Sequence, residues 1–133
     1  MTVTATGKYI TNIQLMVVLP GEPIQGLAIT LLIQNFPLFS VSASVVHAVW
    51  TDNREGNYEI YYMRSSDGGA NWGPETRLTT NASFSLTPSV KTNGSAVHVV
   101  WRDNRDGNYE IYYKRSTDGG TTFAQNQRLT NQS

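Results

Sequence analysis

The chain has 133 residues, ten basic against ten acidic side chains, and no cysteine. A net charge of zero removes the basic footprint of a nucleic-acid or anionic-membrane binder, so neither partner is expected. The missing thiols exclude disulfides, thiolate metal sites and a cysteine nucleophile.

The first element in chain order is an apolar stretch, residues 15–33. Pro20, Glu22 and Pro23 interrupt it well before the roughly 20 apolar residues that a membrane span needs. The start of the chain also lacks the cationic opening and small-residue cleavage site of a signal peptide. Neither a transmembrane helix nor a signal peptide is read here. Taken as written, residues 9–19 and 27–33 are strand candidates.

From residue 45 onward the chain repeats itself. Val-His-Ala-Val-Trp-Thr-Asp-Asn-Arg-Glu-Gly-Asn-Tyr-Glu-Ile-Tyr-Tyr at 46–62 matches 97–113 at an offset of 51 residues, and 22 of the 38 ungapped pairs from 45/96 to 82/133 are identical. A period of this length points to propeller blades. Within it, Val97, Val99 and Trp101 alternate with His98 and Val100, as in a half-buried strand, and Tyr109, Ile111 and Tyr113 continue that pattern. Turn-forming runs at 103–108 and 116–120 separate the apolar runs. One period therefore predicts four strands, near 88–92, 96–102, 109–115 and 122–130. With no amphipathic helical period from residue 41 onward, the expected class is all-β, built from four-stranded antiparallel blades. Blade repeat 1 would span 41–85 and blade repeat 2 would span 86–133.

Two octapeptides, 65–72 and 116–123, fit Ser-x-Asp-x-Gly-x-x-aromatic through Ser65, Asp67, Gly69 and Trp72, and through Ser116, Asp118, Gly120 and Phe123. The spacing suits a turn: the short carboxylate accepts backbone N–H groups, glycine supplies a positive φ, the hydroxyl adds a local bond and the ring folds back. These residues resemble the Asp box, or BNR repeat, of the sialidase-like β-propellers. Both copies lie between the third and fourth predicted strands, where that family carries them. The resemblance implies a partial sialidase-like propeller from an extracellular or cell-surface parent protein. A catalytic or calcium-binding role for Asp67 and Asp118 is the alternative. Recurrence in every blade favours a structural one, since an active site at a propeller's centre draws different residues from different blades.

The segment 1–40 does not match the repeat as written. Codons formed from the last base of each residue and the first two of the next can encode a further blade in register, with its aspartate across Leu15 and Met16 and its tryptophan across Pro20 and Gly21. The expectation is a third blade read in a shifted frame from an internal methionine codon, with the original frame recovered near residues 39–41. A genuine apolar N-terminal region is the alternative.

Asp52, Asn53, Arg54 and Asp103, Asn104, Arg105 fall on loops at the end opposite the Asp boxes. Each arginine could meet a ligand carboxylate or sugar face, or brace its own loop against Asp52, Glu59, Asp103 or Glu110, and repetition favours bracing. His47 and His98 read as equivalent hydrogen-bonded strand residues in preference to metal or acid/base groups. Asn81, Asn93 and Asn131 match glycosylation sequons that turns explain better. Of Tyr61, Tyr62, Tyr112 and Tyr113, alternation leaves at most half available to stack on a sugar.

Catalytic sialidases use an arginine triad, a tyrosine nucleophile and acidic partners. The Phe-Arg-Ile-Pro-like motif that marks the first arginine is missing, so no catalytic residue, metal ligand or cofactor is assigned. Under two blades lie in frame, against the roughly 4 to 8 that close a propeller. A non-catalytic fragment that contacts carbohydrate or protein and self-associates is therefore expected. A piece of a sialidase-like glycoside hydrolase and the product of a disrupted gene are the rivals.

Overall fold

A computed structural model describes residues 37–132. The strand candidates at 9–19 and 27–33, and nearly all of the shifted-frame segment 1–40, lie outside the described residues. Every regular element among the described residues is a strand: β1 (Leu38–Ser42), β2 (Val45–Asp52), β3 (Glu59–Ser65), β4 (Thr76–Arg77), β5 (Ser85–Asn93), β6 (Ala96–Asp103), β7 (Glu110–Ser116) and β8 (Gln127–Arg128). They form two four-stranded antiparallel sheets in plain chain order, β1-β2-β3-β4 and β5-β6-β7-β8, and neither closes on itself. The all-β expectation holds.

The 51-residue repeat is carried into the register. Trp50 pairs with Tyr61 and Asp52 with Glu59, while Trp101 pairs with Tyr112 and Asp103 with Glu110. Two-residue hairpins open both sheets, with Ser42 opposite Val45 and Asn93 opposite Ala96. Their first central residues, Ala43 and Gly94, have φ of 54° and 57°, as a type II′ turn requires. Asn93 therefore closes its strand, and the turn itself is Gly94-Ser95.

Two strands depart from expectation by more than one residue at an end. β5 begins at Ser85, ahead of the predicted 88–92, because a bulge between Leu86 and Ser89 absorbs Thr87 and Pro88. Proline has no N–H to give the ladder, and a bulge is where a strand accommodates it. The fourth strand, predicted at 122–130, shrinks to Gln127–Arg128. Upstream, the Thr122 and Ala124 N–H groups bond Asp118 Oδ1 and the Arg115 carbonyl at 2.9 and 2.8 Å and so belong to the preceding turn. Downstream, the Thr130 hydroxyl replaces the main chain as acceptor of the Ile111 N–H, at 2.8 Å.

Directly paired residues share a face. One face of the first sheet carries His47, Val49, Thr51, Ile60, Tyr62 and Leu78, all buried, and packs on the second sheet. The second sheet answers with Val90, Val97, Val99, Trp101 and Tyr112, with Phe123 against the same cluster. The predicted alternation of Val97, Val99 and Trp101 is the side of the strand that enters this core. β5 lies against β1, β2 and β3, and Ser40 and Thr92 join hydroxyls across the junction at 2.9 Å.

Candidate functional site

The two Ser-x-Asp-x-Gly turns follow β3 and β7 and have the same bonds. In the first, the Ser65 hydroxyl donates to Asp67 Oδ1 and accepts the Gly69 N–H, both at 2.8 Å. Asp67 Oδ1 also accepts the Asn71 N–H at 2.8 Å, and Oδ2 accepts the Asn71 side-chain amide at 2.7 Å. In the second, Ser116 donates to Asp118 and accepts from Gly120 at 2.6 and 2.9 Å, and Asp118 accepts the Thr122 N–H and hydroxyl. Gly68 and Gly69 have φ of 71° and 93°, and Gly119 and Gly120 have 69° and 90°. Gly68 and Gly119 then donate to the carbonyls of Ser44 and Ser95 at 2.6 and 2.8 Å, tying each turn to its sheet's first hairpin.

These bonds set the electrostatics. The Asn71 N–H, then the Asn71 amide and the Ser65 hydroxyl, pull the Asp67 carboxyl down to about 2. The Ser116 hydroxyl, followed by the two Thr122 donors, holds Asp118 lower still. A carboxylate so stabilised in its charged form is a poor general acid or base near neutrality. Among the described residues, no group of three histidine or acidic side chains is arranged to hold a metal ion.

The aromatic position differs between copies. Trp72 lies 6.5 Å from Phe39 of its own sheet, whereas Phe123 meets Tyr62 of the other sheet edge-on at 4.9 Å. The Tyr62 hydroxyl is lodged over Gly120 so closely that a Cβ there would fall 1.8 Å from it. Only glycine fits that approach, so the second turn is also an inter-sheet contact.

At the opposite end, the β2–β3 and β6–β7 loops bend around their own carboxylates. Arg54 is held by Asp52 and by Glu75 at 2.6 Å, and its guanidinium lies 4.6 Å from the Tyr61 ring centroid. Arg105 is held by Asp103, with Nε at 2.9 Å, and lies 4.2 Å from the Tyr112 ring centroid. Asp103 is fully buried and also accepts from Ser85, Trp101 and Asn81 at 2.9, 3.1 and 3.3 Å. Burial works to raise its carboxyl, yet the bonds from Arg105, Trp101 and Ser85 outweigh this and lower it. The Asn53 carbonyl accepts the Gly56 N–H at 3.0 Å, and Asn104 Oδ1 accepts the Phe84 N–H at 2.8 Å.

Glu59 and Glu110 do not pair with these arginines. Fully buried Glu59 instead accepts from Asn57, Arg77, Thr79 and the Asn81 N–H, three of them at 3.0 Å. Fully buried Glu110 repeats the arrangement with Asn108, Arg128, Thr130 and the Gln132 N–H. The bond from Thr130, followed by those from Gln132, Asn108 and Arg128, lowers the Glu110 carboxyl against the opposing effect of burial. This clip was missed in the sequence. Its signal was the joint repetition of Asn-x-Glu and Arg-x-Thr at the same separation.

His47 and His98 are the equivalent bonded pair that was expected: each Nδ1 lies 2.8 Å from the hydroxyl of Tyr62 or Tyr113. Burial, then the Arg64 guanidinium, keeps the His47 imidazole below its ordinary value and so neutral at pH 7. The bound on the tyrosines is met, since Tyr61, Tyr62 and Tyr112 are all buried. Tyr61 is flanked by Trp50, stacked at 6.0 Å, as well as by Arg54, and Tyr62 points into the core. Asn81 is occupied by Ser85 and Asp103 through its amide and by the Ser83 N–H through Oδ1, so its side chain serves the turn that it opens.

No family model matches the chain, and no curated protein is significantly similar to it.

Proposed function

We propose that the chain is two consecutive Asp-box blades of a sialidase-like β-propeller, acting as a non-catalytic structural or recognition unit of an exported or cell-surface protein. The observation that carries this is the bond-for-bond recurrence of the Ser-x-Asp-x-Gly turn after the third strand of two stacked four-stranded meanders. Its carboxylates are committed to their own turns, and the arginines of the opposite loops to their own aspartates. A catalytic centre would need acidic and arginine groups that differ from one repeat to the next and converge on one space.

Recognition would then fall to the loop end, where the guanidinium–tyrosine stacks of Arg54 with Tyr61 and Arg105 with Tyr112 offer flat cationic edges to a sugar or peptide. A glycan array probed with the full chain, beside its Arg54→Ala/Arg105→Ala variant, tests this. Binding to a defined glycan class that the variant loses is the expected result. Hydrolysis of a fluorogenic sialoside by the chain alone would overturn the non-catalytic assignment.

The shifted-frame reading of residues 1–40 favours a second possibility, the product of a disrupted gene without a function of its own. Sequencing the source DNA separates the two, because codons that forbid the shifted blade remove that alternative.

A further inference from the structure

We propose that the outer face of the second sheet docks an extended acidic segment of a partner protein, in which two carboxylates flank an apolar residue at alternate positions. This surface is distinct from the loop end, and the inference goes beyond the recognition proposed there.

Register defines the face. Directly paired residues share a side of the sheet, so Lys91, His98 and Arg115 form one row across β5, β6 and β7, and Leu86, Arg102 and Ile111 form another. Val100 and Tyr113 pair between the two rows. Ile111 and Leu129, joined through the Leu129 N–H and the Ile111 carbonyl at 2.7 Å, are both exposed. Adjacent exposed apolar side chains of this kind mark interaction surfaces. The rows have fixed neighbours: His98 Nδ1 lies 2.8 Å from the Tyr113 hydroxyl, and the Arg102 guanidinium lies 4.7 Å from the Tyr109 ring centroid.

Charge decides the occupant. Among the described residues, Arg54, Arg77, Arg105 and Arg128 hold carboxylates. Lys114 donates to the Leu78 carbonyl, and Arg64 pairs with buried His47 on the inter-sheet side. The cations left over are Lys91, Arg102 and Arg115. All three are exposed, none is in an ion pair, and all lie on this one face, whose strands carry no acidic side chain. On the covered face of the first sheet, the counterparts of Lys91 and Arg102 are uncharged Ser40 and Thr51. That face meets an apolar sheet without stranding a charge there, whereas the outer face under a like sheet would strip two cations of water with no partner. Its occupant must bring carboxylates.

Spacing gives the pattern. Along β6, the row of Lys91 and Arg115 stands about 13 Å from Arg102, with Val100 midway, at the rise of a strand. An extended segment lying along β6 matches this with acidic residues at i and i+4 and an apolar residue at i+2, set against Val100 and Ile111. Arginine pairs well with carboxylates, and such complementarity selects partners. The apolar centre separates this occupant from nucleic acid and sulfated glycan, which present charge without an apolar group between.

The test is NMR titration of the full chain with the end-capped peptide Glu-Thr-Leu-Thr-Glu, beside its isomer Glu-Glu-Thr-Leu-Thr. The expected result is a set of shift changes confined to β5, β6 and β7, weakened by salt, with the first peptide binding several-fold more tightly than the isomer. Arg102→Glu and, independently, Lys91→Glu weaken binding several-fold, and both side chains are exposed, so the fold survives the change. The Arg102→Glu chain prefers Lys-Thr-Leu-Thr-Glu over the doubly acidic peptide. No shift change on this face up to millimolar peptide overturns the proposal. Equal binding of the isomer, indifference to the two charge reversals, or tighter binding of a sulfated oligosaccharide or a DNA oligonucleotide overturns it equally.

Discussion

Ile60 and Ile111 stand at the same position of two sheets that share most of their sequence, yet Ile60 is 0% exposed and Ile111 is 40%. Leu78 and Leu129 differ in the same way, at 3% and 51%. The strands, register and hydrogen bonds around each pair are alike, so the residues themselves do not account for the difference. A neighbouring sheet does. The outward face of a repeat unit gains stability only when the next unit covers it, as in other stacked repeats.

The sharpest way to break this comparison is to truncate both isoleucines. Ile60→Ala should cost about 3 kcal/mol, as for other buried Ile and Leu truncations, whereas Ile111→Ala should cost less than about 1 kcal/mol. Urea unfolding of the two variants at a concentration where the chain is monomeric measures both. Equal losses would mean that the outer face of the second sheet is already covered.

A comparable effect is expected at Gly120. Gly120→Ala should cost about 2–3 kcal/mol, because its Cβ would collide with the Tyr62 hydroxyl as well as strain a left-handed backbone. The neighbouring Gly119→Ala meets open space and carries only the backbone penalty, about 1 kcal/mol. Placing Gly120→Ala in a Tyr62→Phe background should recover part of the loss if the collision is its source. Thermal melts of the three variants decide between clash and backbone strain.

A smaller difference runs the other way. In the second sheet the Tyr112 hydroxyl donates to Asp106, while in the first the residue at that place is Glu55, which engages Arg77 and leaves the buried Tyr61 hydroxyl without a hydrogen bond. Glu55→Asp should copy the second sheet's arrangement and stabilise the chain by about 1 kcal/mol. No gain in the urea midpoint would show that the shorter carboxylate does not reach.

The smallest effect concerns acid. An unfolded aspartate titrates near 3.8, and Asp67 is held at about 2 in the fold. A depressed folded value means that the stabilisation is complete above about pH 4 and is lost as pH falls towards 2. Asp118 is held lower, so the 65–72 turn should give way at a higher pH than the 116–123 turn. Carboxyl-carbon NMR titration resolves the two. Coincident titration near 3.8 would mean that the turn bonds do not form in solution.

The repeat made the sheet count, the strand order and the placement of the Ser-x-Asp turns legible before any coordinates, because alternation and turn residues act locally. The fourth strands were not legible. Thr79 and Thr130 take over main-chain acceptor duty, and side-chain substitution of that kind leaves no periodic trace. Nor were the buried Glu59 and Glu110 clips, since their partners lie some twenty residues away and a glutamate in a strand otherwise reads as solvent-facing. The inward position of Tyr62 and its contact with Gly120 depend on the second sheet, and a single period holds no information about its neighbour.

The central claim is that the two repeats stack face to face through Tyr62 and Phe123, whose rings meet edge-on at 4.9 Å. A double-mutant cycle with Tyr62→Leu and Phe123→Leu, read by urea unfolding of the full chain, tests it directly. Coupling of about 0.5–1.5 kcal/mol between the two substitutions is the predicted result. Strict additivity would contradict it, and would mean that the two sheets fold without resting on one another at this point.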